Sequence, residues 1–530
     1  MIILLLAVVL QAGEIVSSGH VEFFYEEDRR AGFRIVDSML PPPQSGMISL
    51  GLKLNLMGYP VLADFGFSSE NRYTGTLINR YSVRFEPKTF AAKRVGVLRV
   101  LEFVRLGDFF PNETELALSK IKIRGIGIGL GGKTTSIRLY YGQVKRKFMG
   151  GKYAKPSYQR LLTGAFLKTS PLKTLSLNIH ILKGWDVMSE DILSDSVHPF
   201  ANAVIGGGLR FNYKKLFTLE TEAELSASTD LNGSDVKRQV YALKAFNLIM
   251  PVNLSTTLDW AALIRLKVQP MRKTRFNLCY KYAGPGYNSF GAQRIRSNWK
   301  ELTFKGEYRG WGASSNWIRL ELSHGRDNLL NQSVLTTRKS RIKISSHLML
   351  KMNMFAAVSG EFQRIDRRSE DSEAQRDNLS TITFALFQNT QLSDKKLSTT
   401  FSFTATSLNG AQDRQVQSAN FGSSLKTKSS LVSVGLSFSK SVSSLDTVEA
   451  ERILVLNLSA TKTFLDRRLT ATPSVSTHLE KGVIRTGVSF SVSFQPFEQF
   501  HIGLMAVRDN LRNDVKDSGW LIRITGHSNF

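Results

Sequence analysis

The dominant pattern along the chain has a period of two. In LVSVGLSFSKS, residues 431–441, Val432, Val434, Leu436 and Phe438 alternate with Ser433, Gly435, Ser437 and Ser439. Val488, Phe490, Val492 and Phe494 alternate likewise with Gly487, Ser489, Ser491 and Ser493. Leu175, Leu177, Ile179 and Ile181 alternate with Ser176, Asn178 and His180, and the rhythm recurs at 50–56, 135–142, 217–225, 276–282, 342–350, 397–405 and 454–460. Successive side chains of a strand point to opposite faces, so one apolar and one small-polar face at this period predict half-buried β-strands. Many segments run to about ten residues, the length a tilted strand needs to cross a bilayer. Parsed this way, the chain yields roughly 24 strands, within about 22 to 26, and few convincing amphipathic helical stretches.

The expected fold is therefore all-β: a transmembrane antiparallel up-and-down β-barrel over residues 47–530. A soluble propeller would show a blade repeat of about 40 residues and a β-helix a shorter one, and neither is present. Past residue 380, short turns (394–396, 465–468, 495–499) alternate with mostly longer polar loops (408–416, 439–451, 508–519), as in bacterial outer-membrane barrels. The rhythm slips around 266–298. Either one strand is miscounted there, or the loop AGPGYNSFGAQRIRS (283–297) folds into the lumen.

Ahead of the strands, MIILLLAVVLQAGE has an apolar run from Ile2 to Leu10 and small residues at Ala12 and Gly13. That is the length of a signal-peptide core and too short to span a bilayer, so residues 1–12 are expected to direct export. Residues 13–46 are expected to form a short periplasmic leader or small plug, with a first strand plus linker as the alternative. After residue 12 no run approaches the ~18 apolar residues of a transmembrane helix.

Charge adds one constraint and cysteine another. Lys plus Arg is 70 against 44 acidic residues, a net charge of +26, which favours phosphates, anionic head groups or acidic polymers as surroundings. The lone cysteine, Cys279, excludes an intrachain disulfide and a cysteine-cluster metal site.

The chain finishes GWLIRITGHSNF, with Trp520, Ile522, Ile524 and Phe530 on one face, interrupted by Gly526 and Ser528. This ending resembles that of Gram-negative outer-membrane β-barrels, which close on an aromatic residue after an alternating strand. The resemblance implies an outer-membrane location, lipid and lipopolysaccharide as surroundings, the barrel assembly machinery as a partner, and no nucleic acid. Gly107-Asp108 followed by Arg124-Gly125 resembles a GD…RG hairpin of fimbrial ushers, although the simpler reading is a loop with Asp108 making local turn hydrogen bonds. Together with YAGPGYNSFG (282–291), it gives the chain a look similar to large barrels of the Bacteroidota and Chlorobiota.

Several motifs bear on chemistry. GIGLGGKTT (127–135) satisfies the phosphate-loop pattern, but that loop needs a helix after it. Here Ile137, Leu139 and Tyr141 alternate as a strand. What remains is a strand whose Gly125, Gly127 and Gly129 leave one face bare for something to pack closely. Glu220, Glu222 and Glu224 share the polar face of one strand and are expected to pair with lysines and arginines across the barrel. Lys343, His347 and Lys351 suggest a basic row able to set anion selectivity. His180 and His347 lie on polar faces, but neither H-E-x-x-H nor G-x-S-x-G occurs. No enzyme, cofactor or metal is therefore expected. Three functions remain: a solute channel, a macromolecule translocation pore with periplasmic partner proteins, or an adhesive surface protein binding anionic polymers.

Overall fold

The computed structural model describes residues 16–28, 44–56, 59–68, 78–87, 100–132, 134–149, 156–189, 197–214, 216–232, 244–292, 295–310, 315–330, 335–369, 375–409, 414–443, 451–465, 468–480, 483–497, 500–512 and 516–529. Their strands form one antiparallel sheet of 26 strands that closes on itself, with a separate two-stranded hairpin of Asn112–Thr114 and Leu118–Ser119. Closure is made by Val16–Asp28, which pairs with Gln44–Leu56 on one side and with Lys516–Asn529 on the other. Residues 16–28 are therefore the first barrel strand, the alternative reading of this segment and not a leader or plug, and the barrel begins ahead of residue 47. The break in alternation at Phe23-Phe24-Tyr25 concealed that strand. Residues 1–12, expected as a signal peptide, lie outside the described residues, as do 29–43 of the expected leader.

Most strands have 10 to 18 residues, more than a tilted crossing requires. Short connections such as Leu172 to Leu175, Met271 to Thr274 and Leu392 to Lys395 lie at one rim. Long ones, from Val187 to Phe200, Asp230 to Thr257 and Ala283 to Trp299, lie at the other. Short turns are the periplasmic side of such barrels. The start of Val16–Asp28 and the end of Lys516–Asn529 stand at that rim, since His20 pairs with Asn529.

Alternation assigns the two faces. Large apolar side chains such as Ile179, Trp260, Ile382, Leu436 and Phe490 stand exposed around the outside. The sheet is closed, so this exterior is an apolar belt that only lipid can cover. Inside, two arcs differ. From Leu101–Phe109 to Trp299–Arg309 many inward residues are fully buried. From Gln375–Leu392 to Leu469–Glu480 no described side chain is buried. That second arc faces open lumen with Ser, Thr and Asn, cross-linked by pairs such as Thr381–Thr406 (3.2 Å) and Thr461–Thr472 (3.0 Å). Among its described inward positions the charged residues, Asp377, Lys396, Arg414 and Lys426, all stand within two residues of a strand end.

Candidate functional site

What buries the first arc is its own loops. A hairpin spanning 110–122 leaves the wall at a neck where Asp108 stands opposite Arg124. Their side chains form a bidentate pair at 2.7 and 2.8 Å, with the Asp108 side chain only 2% exposed. Gly107 beside it adopts φ 88°, a turn that an L side chain would strain. The hairpin returns into Ile123–Gly131, whose glycine face points inward. An added Cβ at Gly127 would lie 3.1 Å from the Tyr140 ring, and one at Gly129 would lie 2.5 Å from Phe103. The bare face seats an aromatic cluster of Phe103, Phe109, Tyr140 and Phe166, on which the hairpin's Leu118 packs. Glu113 of the hairpin binds Arg138 at 2.9 Å and accepts the Tyr140 hydroxyl. Thr135–Lys145 is a strand antiparallel to Ile123–Gly131, which removes the helix a phosphate loop requires.

A second loop meets the first. Residues 284–292 and 295–298 fold into the lumen, as one of the two sequence alternatives had it. Tyr287 donates to the Leu116 carbonyl at 3.0 Å, Ser289 to the Ala117 carbonyl at 2.7 Å, and Ser119 N–H to the Gly291 carbonyl at 3.1 Å. The Asn202 amide holds the Asn288 carbonyl at 2.9 Å and the Arg160 guanidinium lies 3.6 Å from the Phe290 ring centre. Burial among apolar neighbours pushes the Tyr287 phenol up, so it stays a neutral donor. The two loops together form a plug. Leu116, Ala117 and Leu118 are fully buried within it.

The three glutamates all point into the lumen, yet each does something different. Glu220 binds Arg265 at 3.1 Å and Lys267 at 3.0 Å. Glu222 accepts the backbone N–H groups of Glu115 and Leu116 at 3.0 and 3.2 Å, an anion at the hairpin tip. Glu224 meets His180 at 2.6 Å, both side chains fully enclosed, with Phe166 stacked on the imidazole. Glu115 of the hairpin joins the same wall through Arg265 at 2.6 Å and Lys281 at 3.1 Å. Lys343 and His347 share the inward face of Leu335–Lys351, each with its own neighbours. Lys343 is taken up by Glu361 at 3.5 Å, His347 lies between the Trp317 and Phe355 rings, and Lys351 sits at the turn to Met354. Arg341, which sequence reasoning passed over, holds Glu361 at 2.7 Å and completes this network.

On the last strand Ile522 and Ile524 stand opposite Ala506 and Leu504, and Trp520 opposite Arg508, while Phe530 lies outside the described residues. A closed ring with an apolar exterior and a wet interior has one natural solvent. This is an outer-membrane β-barrel. No protein-family model and no curated protein sequence matches the chain. Among solved structures it is similar to the P pilus usher PapC translocation pore, at 9% identity, with 97% of this chain and 99% of that one covered and a TM-score of 0.39. It is likewise similar to the copper transporter OprC (9%, 98% and 81% covered, TM-score 0.40) and to OccK1 of Pseudomonas aeruginosa (9%, 98% and 98%, TM-score 0.30). Those likenesses describe architecture only; the assignment rests on ring closure and the outer belt.

Proposed function

We propose that the barrel is a transport conduit in which the plug rests on the charged arc and transit follows the hydroxyl arc. A ring of 26 strands encloses a lumen far wider than a small-solute porin, so it must be occluded to be selective. One observation carries the reading. The plug's ties run to Arg138, Asn202, Glu222, Arg265 and Lys281, all on the first arc, and no described residue of the plug ties to the opposite arc. A plug held from one side can tilt away without breaking the barrel, as occluding loops of transport barrels do on gating.

The bare arc favours an uncharged, hydroxyl-rich polymer such as a glycan, which exchanges hydrogen bonds with Ser and Thr and needs no fixed charge. The lumenal cations near the plug are taken up by Glu113, Glu115, Glu220 and Glu361, which argues against anion selectivity as the device. No catalytic role is proposed. Replacing residues 111–121 by a short Gly-Ser linker should raise conductance in planar bilayers by an order of magnitude or more. Neutral dextran oligomers should then block the current reversibly, and polyanions of equal size should not. Unchanged conductance in the deletion variant would sink the conduit reading. No conductance at all, with retention on acidic polymers, would favour an adhesive surface protein instead.

A further inference from the structure

The outer wall carries a feature that transport does not use. Near the long-loop rim two cross-strand rows run over the lipid face: Tyr141, Thr163, Lys183 and, one step deeper, Leu139, Ala165, Ile181. The middle strand, Gln159–Leu172, contributes the small members of both rows. A furrow of about 360 Å³ results, walled by Ile126, Ile128 and Leu139 on one side and by Ile181 on the other. Its end is closed by Ile249. That residue belongs to a lobe of the 231–256 connection that lies against the outside of the barrel. The lobe's Phe246, Met250 and Val252 are buried on Ala201, Ala203 and Ala227, outward positions where a lipid-facing strand would ordinarily carry large side chains.

At the mouth stands Lys183. Its ammonium lies 5.3 Å from the Trp185 ring, and it makes no ion pair among the described residues. An unpaired cation on the lipid face is costly unless it reaches an anion at the interface. Tyr141 beside it is an exposed aromatic on the outer face, the residue type that marks that interface, and Trp185 packs against the lobe.

We infer that this furrow binds a phosphorylated lipid of the outer leaflet, one acyl chain lying along Thr163 and Ala165 and a headgroup phosphate meeting Lys183. The furrow is open along the lipid face and has the lobe's Ile249 in its lining, which gives a single acyl chain more contact than the flat wall would. The cation next to an apolar trough matches a ligand that is anionic at one end and apolar at the other. The inference is independent of what crosses the lumen.

The test uses full-length barrel in mild detergent, with bisphosphorylated lipid A as the probe and native mass spectrometry as the readout. Wild type should retain about one lipid through extensive washing and bind the dephosphorylated form about tenfold more weakly. Ala165→Phe should lose retention of both forms. Lys183→Glu should bind the two forms equally and weakly, whereas Leu456→Phe, on the far outer wall, should behave as wild type. Heat-modifiable gel mobility reports assembly of each variant, and the wild-type comparison of the two lipids needs no variant. Equal binding of the two forms by wild type, or undiminished retention by an assembled Ala165→Phe barrel, would overturn the site.

Discussion

Glu115 ties the hairpin tip to the barrel wall, and neutralising it should free the plug. Its carboxylate lies 2.6 Å from Arg265 and 3.1 Å from Lys281, with side-chain exposures of 40, 25 and 26%. A hydrogen bond to a charged group contributes about 1.5–3 kcal/mol when buried, and partial exposure reduces each here to about 1 kcal/mol. Two such bonds hold the plug by about 2 kcal/mol, roughly a 30-fold bias toward the seated position. Glu115→Gln keeps the shape and removes the charge. Single-channel recording at pH 7 should therefore show an open probability about 30-fold above wild type. Acid attacks the same tie. Burial raises the Glu115 carboxyl, but the Arg265 hydrogen bond and the Lys281 charge outweigh it and hold the group below the usual carboxylate range. A carboxyl depressed in the seated plug stabilises it above the free value near 4.5, and that contribution is lost as pH falls through the depressed value. Wild type should open on acidification below about pH 4.5, and the variant should lack that component. Glu222, which holds the same tip through backbone N–H groups, leaves an acid response common to both. An open probability for Glu115→Gln equal to wild type at pH 7 would refute the tether.

Gly129→Val should destabilise the barrel by about 1–3 kcal/mol through overpacking, because its Cβ would meet Phe103 at 2.5 Å. Gly360→Val, where nothing lies within 4 Å, should be near neutral; heat-modifiable gel mobility across a temperature series compares them. Asp108→Ala removes the bidentate pair that closes the neck and should speed tryptic cleavage at Lys120 and Lys122 by an order of magnitude, with unchanged cleavage counting against a clamp. Cys279, opposite Arg265 on the inward face, should react with a charged methanethiosulfonate reagent and be spared by a lipid-confined maleimide.

Strand identity was legible because each strand announces its own faces locally. Val432 to Phe438 and Val488 to Phe494 need no partner to be read, and the closed sheet keeps their alternation. The glycine face of Gly125, Gly127 and Gly129 was legible as a place of close packing, though not its occupant. The ties between the two plug loops and the wall were invisible for a different reason. Glu115 and Glu222 are 107 residues apart, and Ser289 and Ala117 are 172 apart, so no local period records their meeting. One signal was available: the apolar triplet Leu116, Ala117 and Leu118 inside an otherwise charged connection. The outer lobe left a comparable trace in Ala201, Ala203 and Ala227, small residues where a lipid face wants large ones. The pairing of Lys343 with Glu361, on the adjacent strand, left no local signal in its own segment.

The seam between Val16–Asp28 and Lys516–Asn529 sets the order of events during biogenesis. Val16–Asp28 acquires one neighbour within a few dozen residues but waits until Lys516–Asn529 has been made to acquire the other. Throughout that interval its second edge offers unpaired N–H and C=O groups, the template on which strands aggregate. Truncation at any later strand thus leaves an open sheet instead of a narrower barrel. Quality control can then be all-or-none: only a chain made to its final strand removes both edges at once.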